Sequence, residues 1–226
     1  VIKRCLKINR IAKNTKDAKK MFTGSAFAAA TWGHQTAGLT PTQLLKIERH
    51  ALDASGIPAH GRCRLIALTV VYGLHGTPHA RLIRETVKSW FAVLEDKSTC
   101  LSEVAEAWVS AKQFLLKQKN PTHHVSGIMS NVISMLIVLG WVPHAYNYWH
   151  DNEGKFWPLK LGTSSAPVIA ALISAAHKTQ LPRASLHHDG KGIGHGINWE
   201  YTLRYLRTLR KSPGLYSYRA ALETVL

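Results

Sequence analysis

Carboxylates are what this chain has least of. Thirteen Asp and Glu stand against twenty-nine Lys and Arg, a formal net charge of +16 on 226 residues. No Asp-Asp occurs, and the closest acidic neighbours are Glu95-Asp96 and the pair Asp151 and Glu153. Two-metal phosphoryl chemistry needs a tight carboxylate cluster to hold its ions, so the expectation is that this chain catalyses nothing by itself. Cysteine is scarce too. Cys5, Cys63 and Cys100 are odd in number and far apart, which argues against a disulfide framework and for reduced thiols inside a cell, nuclear or cytoplasmic. There is no Cys-x-x-Cys, no His-Glu-x-x-His, no Gly-x-Ser-x-Gly and no His-x-x-Arg. Zinc sites, hydrolase elbows and recombinase boxes lose their usual signatures with them. The thirteen histidines include the adjacent pairs His123-His124 and His187-His188, which point about 100° apart on a helix and chelate one metal poorly. No cofactor or metal is expected.

Long apolar runs are missing as well. The greasiest stretch, Ile128 to Val142, is broken by Ser130, Asn131, Ser134 and Gly140. A membrane span needs about 20 mostly apolar residues, so this segment reads as a buried helix and no membrane partner is expected. The first twenty residues hold eight basic side chains and no apolar block, unlike a signal peptide. The chain opens inside a basic helical pattern and stops in mid-pattern, the expectation for a piece of a longer polypeptide.

What is present is positive charge on amphipathic helices. Residues 2–22 set Lys3, Arg4, Lys7, Arg10, Lys13, Lys16, Lys19 and Lys20 among apolar residues, with Asp17 alone opposing them and a weak point at Asn14-Thr15. The run is a phosphate-tracking surface or a solvated face. Thr40-Pro41-Thr42-Gln43 is a capping-box start for a helix carrying Leu44, Ile47, Ala51 and Leu52 and stopped by Gly56 and Pro58. An apolar segment, Leu65 to Leu74, leads to a second start at Thr77-Pro78. The helix after it buries Ile83, Val87, Trp90, Phe91 and Leu94. Another runs from about Leu101 to Lys117, with Val104, Ala105, Trp108 and Leu115 inward, and a buried helix spans about Ser126 to Leu139. Asp151-Asn152-Glu153-Gly154 between Tyr146, Tyr148, Trp149, Phe156 and Trp157 predicts a short β-hairpin. An Ala-rich helix follows from Pro167 to His177. Then comes a glycine loop from Gly190 to Gly196 with Lys191, and Asn198 caps a helix from Trp199 to Lys211. That last helix lines up Arg204, Arg207 and Lys211, with Arg210 beside them.

The Gly190 loop matches neither the P-loop nor the dinucleotide fingerprint. It is a flexible connection or a backbone contact to nucleic acid. Of the tryptophans, Trp32, Trp141, Trp149, Trp157 and Trp199 can stack bases, yet core packing accounts for most at these positions. Trp157 and Tyr148 are the expected exposed pair.

The order of these segments resembles the region after the polymerase core in open reading frames of non-LTR retroelements of the protist type. The matching residues are Ala30-Thr31-Trp32-Gly33-His34-Gln35, Gly38-Leu39-Thr40-Pro41, Gly56-Ile57, Gly140-Trp141-Val142-Pro143, Trp149 with Asp151, Gly154 and Trp157, His187-His188-Asp189-Gly190-Lys191-Gly192, and Leu209-Arg210-Lys211. Asp189 stands where Asn is expected. The resemblance covers nearly the whole chain. It implies a thumb-and-connection segment of a reverse transcriptase, with the palm aspartates upstream and a Cys/His cluster and ribonuclease H domain downstream. None of the family's catalytic residues falls within these residues.

The expected fold is mainly α, a helical bundle over residues 1–120 followed by a smaller helical module over 121–226 with one short β-hairpin near 146–157. The expected partners are RNA, RNA–DNA hybrid or DNA, together with polymerase and ribonuclease H domains of the same polypeptide. A stand-alone basic helical nucleic-acid-binding protein and a purely structural interdomain linker are the alternatives.

Overall fold

The structure, a computed structural model, describes residues 2–15, 17–57, 63–186 and 193–211, with backbone only at 195, 207 and 209–211. It is mainly α. In chain order the helices are α1 (Ile2–Ala12), α2 (Ala18–Met21), α3 (Phe27–Ala30), α4 (His34–Ala37), α5 (Pro41–Asp53), α6 (Arg64–Tyr72), α7 (Pro78–Glu95), α8 (Leu101–Leu116) and α9 (Ile128–Val138). Strands β1 (Val142–Ala145), β2 (Tyr148–His150) and β3 (Phe156–Pro158) follow, then α10 (Ala166–Ser185) and α11 (Trp199–Lys211). No helix of the described residues is long and apolar enough to cross a membrane.

Local chemistry explains most boundaries. The Thr40 N–H donates to Gln43 Oε1 at 2.8 Å while the Gln43 N–H donates to Thr40 Oγ1 at 3.3 Å, the reciprocal capping box that Pro41 at the first helical position predicts. Asn198 Oδ1 accepts from the Tyr201 N–H at 3.2 Å and starts α11. The break after α1 falls at Asn14 and Thr15, where it is expected. Between α2 and α3 the chain makes a π-helical turn, Phe22–Ala26, in which the Phe27 N–H bonds back to the Phe22 carbonyl. That wider turn brings Phe22, Ala26 and Phe27 together to the inside, all buried.

The chain divides into two compact units that interleave in sequence. The first takes Val1–Ala30, Leu45–Pro78 and His177–Leu226; the second takes Thr31–Leu44 and His79–Ala176. The second unit includes helices on both sides of residue 120, α8 and α9 among them.

In the first unit, Cys5 and Ile8 of α1 are buried, as are Ala18, Phe22, Ala26 and Phe27 of the segment with which α1 packs. Gly56 sits at φ 76°, and a Cβ there would stand 2.9 Å from the Ala12 carbonyl oxygen. Only glycine fits that approach. A separate cluster joins Cys63, Leu65 and Ile66 with Leu181 and Ala184, covered by Ile193, Ile197 and Trp199. The α10 helix extends beyond the expected His177 to Ser185 and accommodates Pro182.

In the second unit, α7 buries Ile83, Val87, Trp90, Phe91 and Leu94 along one stripe, the expected set. Trp90 and Trp108 pack as a tilted pair, 5.3 Å apart with their planes at 36°, between α7 and α8. Their indole N–H groups donate to the carbonyls of Tyr146 at 3.0 Å and Pro143 at 3.3 Å. The helices thereby hold the first strand and its turn by their backbone oxygens. The sheet is antiparallel in the order β1-β2-β3, pairing Trp149 with Trp157 and His150 with Phe156. The hairpin of β2 and β3 is the expected one. β1 is additional, paired through Val142 with His150 and with a shifted register before Ala145. Asp151 accepts from the N–H groups of Glu153 at 3.0 Å and Lys155 at 2.9 Å and from the Trp157 indole at 3.0 Å. The Trp157 bond, first among these, holds its carboxyl below the usual range.

Candidate nucleic-acid interface

Helix α1 sorts its residues by period. Cys5 and Ile8, three apart, point inward; Lys3, Arg4, Lys7 and Arg10 are all exposed, with Lys13 exposed just beyond the helix. Lys3, Lys7 and Arg10 follow a four-then-three spacing and share one face. Ile2 and Leu6 are exposed between them, so the cations stand on a partly apolar surface. Lys20, exposed, pairs with Asp17 at 2.8 Å, and the Lys20 bond and charge lower the Asp17 carboxyl's pKa. Lys19 is half-buried. Asp17 is the one acidic residue in the first thirty positions, so the stripe on α1 has no carboxylate along its own stretch of chain. Lys16 lies outside the described residues, as does Lys191 of the glycine loop.

On α11, Arg204 is exposed. The helix backbone carries Arg207, Arg210 and Lys211 in the same two turns, their side chains outside the described set. Tyr201 and Tyr205, four apart, are exposed on the same helix, at 69% and 58%. Aromatic rings interleaved with guanidinium groups can stack bases while the cations meet phosphates. Their signal in the sequence is a tyrosine pair at helical spacing among arginines.

Not every cation of this unit is available. Arg64 Nε reaches Glu48 Oε2 at 2.9 Å, with Glu48 buried. Burial raises the Glu48 pKa, and Arg64 opposes that shift. The pair is internal architecture. So is His177, which is buried and whose Nε2 lies 3.1 Å from Thr69 Oγ1. The Thr69 hydroxyl donates to the Leu65 carbonyl at 2.9 Å, so Nε2–H is the donor to Thr69. Nδ1 is left without a partner. A second proton would have no acceptor there. Burial, with the charge of His75, depresses the His177 pKa to about 4.

The second unit presents a different surface. Alternation along the sheet turns Pro143 and Trp149 inward and leaves His144, Tyr148, His150 and Phe156 on the outer face. His144 stacks on Tyr148 at 5.7 Å and meets His150 edge-on at 4.4 Å, and Phe156 lies 5.5 Å from both Tyr148 and His150. Desolvation, then His150 and Lys112, lower the His144 pKa. This ring cluster was not expected from the sequence. Its signal was the two-residue period around Trp149 combined with histidines that local motif searches treat as metal ligands.

The expected aromatic exposures are corrected. Trp157 is half-buried, stacked on Trp141 at 5.8 Å with Lys155 Nζ 4.2 Å over its ring. Trp32 is 92% exposed instead. It occupies a turn between α3 and α4, where no helical stripe draws its ring inward. Among the described residues no group of three His, Cys, Asp or Glu side chains could hold a metal ion. All three cysteines are free thiols.

No family model, curated protein or solved structure matches this chain.

Proposed function

We propose that this chain binds nucleic acid by its sugar-phosphate backbone, as the thumb-and-connection segment of a non-LTR retroelement reverse transcriptase. It catalyses nothing itself; it grips template-primer duplex and links polymerase to ribonuclease H. The observation that carries the binding is the exposed run of Lys3, Arg4, Lys7 and Arg10 on a helix whose opposite face is fixed in a core, continued by Lys13 just beyond its end. The retroelement assignment rests on the order of the sequence landmarks. Phosphate neutralisation releases counterions, so affinity should fall steeply with salt and be indifferent to base sequence.

The test is fluorescence anisotropy with an RNA–DNA hybrid across a salt series. The log–log slope should shrink by about 0.9 for each phosphate contact removed. Charge reversal at Lys3, Lys7, Arg10 and Lys13 should flatten it, and an unchanged slope removes this face from the mechanism. The parent is tested separately, by reading the coding DNA on both sides of the segment. A paired-aspartate palm in frame upstream supports the reverse-transcriptase assignment. In-frame stops with no polymerase motif leave a stand-alone basic binding protein.

A further inference from the structure

A cavity of about 170 Å³ lies wholly within the second unit, between α4, the first turn of α5, α7 and α9. Its walls are mainly apolar, with Leu82, Ile83 and Met135 among them, and His79, Thr86 and Thr122 also line it. Two polar side chains on that wall are buried and have no hydrogen-bond partner, Ser134 through Oγ and His34 through Nε2. In a well-packed protein such groups find partners, because leaving one unmade costs about 1–3 kcal/mol.

The surroundings fix these groups rather than satisfy them. His34 Nδ1 sits 2.8 Å from the Thr31 carbonyl and must donate to it, so neutral His34 offers a lone pair at Nε2. Glu85 Oε2 stands 3.6 Å from that nitrogen, within ion-pair range of an imidazolium but beyond a hydrogen bond. Asn131 Nδ2 donates to the carbonyls of His34 at 2.9 Å and Gln35 at 3.0 Å. That clamp ties α4 to α9 and holds the imidazole in place. Gly38, at φ 65°, lets the chain pass against Val125, whose Cβ would be 3.0 Å from any added Cβ. The space is therefore framed by fixed backbone on one side and by aliphatic side chains on the other.

We propose that this cavity is a binding site for a small neutral molecule of single- or fused-ring size bearing one hydroxyl or N–H group. Size sets the first limit, since an apolar cavity of roughly 150 Å³ accepts a benzene ring. Polarity sets the second: the ligand's O–H or N–H donates to His34 Nε2, and an oxygen accepts from the Ser134 hydroxyl. Charge sets the third. Glu85 beside His34 opposes an anion, and the apolar walls oppose burial of any ion. No lining residue belongs to the first unit, so the site stands or falls independently of nucleic-acid binding.

The test is an NMR amide titration of the full chain with phenol, with indole, and with benzene as the ring lacking a polar group. Saturable shifts around Ser134 and His34 are expected, with phenol, which makes two hydrogen bonds, tighter than benzene by about 25-fold, and indole, which makes one, by about five-fold. Ser134→Ala should weaken phenol by a similar factor and leave benzene unchanged. Ser134→Leu should fill the space and abolish all three. Val138→Trp does the same from the exposed rim of the cavity and keeps the test available if the core variant does not fold. The proposal is overturned if no probe saturates at millimolar concentration, as a merely water-filled cavity requires. It is overturned equally if Ser134→Ala changes phenol and benzene alike, or if the shifts persist in both filling variants.

Discussion

The two units divide the chain's charge and its aromatic bulk between them. The sequence segments of the first carry 20 basic residues against 6 acidic, a balance of +14; those of the second carry 9 against 7, a balance of +2. Tryptophan runs the other way, with Trp32, Trp90, Trp108, Trp141, Trp149 and Trp157 in the second unit and Trp199 alone in the first. One unit is thus loaded with like charge that repels itself, charge of the sign a polyanion would neutralise. The other is built around fully buried indoles and needs no partner to neutralise it. A net charge quoted for the whole chain hides this, because the excess belongs almost entirely to three segments that are distant in sequence.

The comparison can be broken by mutation. Trp90→Ala should cost the second unit about 3–5 kcal/mol, the range for truncating a buried aromatic, and also free the Tyr146 carbonyl it holds. Urea unfolding measures it, and a loss below about 1 kcal/mol would mean that the indole pair is not the keystone of this unit. Nucleic-acid binding should show the reverse dependence. Reversing Lys3, Lys7, Arg10 and Lys13 to Glu should weaken RNA–DNA hybrid binding by about 10²–10³-fold at moderate salt. Reversing the exposed Lys97, Lys117, Lys119 and Lys160 of the second unit should change it by less than about three-fold. Equal losses from the two sets would reduce the segregation to an accident of composition.

His177 provides a pH handle on the first unit alone. Its folded pKa is near 4 against an ordinary 6.5, so between these values the unfolded state binds the extra proton. Stability is then fully present above 6.5 and falls as the pH drops toward 4, by up to about 3 kcal/mol. His177→Gln should flatten that part of the pH–stability curve in chemical denaturation, and an unaltered slope would place the titrating group elsewhere. The smallest effect expected is at Thr40, where Thr40→Ala removes one half of the capping box and should cost about 1 kcal/mol by thermal denaturation. Gln43→Ala should match it if the two bonds act reciprocally.

Features set by neighbours in sequence were legible in the sequence. The Thr40–Gln43 box, the Asn198 cap, the stripe on α7 and the Asp151 turn each depend on residues within a few positions. What depended on distant partners was not. Strand β1 contains Pro143 and is held by β2 and by the Trp108 indole, and the turn after it by the Trp90 indole, none of which leaves a local pattern. Helix α10 runs past His177 because Leu181 and Ala184 join a core with Cys63, Leu65 and Ile66. The basic face of α1 was legible as a charge run. Which of its apolar residues turn inward was not: Ile2, Leu6 and Ile11 are exposed, while Cys5 and Ile8 are buried. The cavity lay beyond any motif, because His34 and Asn131 stand 97 positions apart in the sequence.

The uneven distribution of indoles also has an optical consequence. Three of them, Trp90, Trp108 and Trp149, are fully buried, so native emission should be blue-shifted and dominated by the second unit. Melting of the first unit would pass almost dark, visible only through Trp199. Far-ultraviolet circular dichroism sees the helices of both. Recording the two signals on one sample would therefore read, without any label, whether the halves of this chain lose their structure together or in turn.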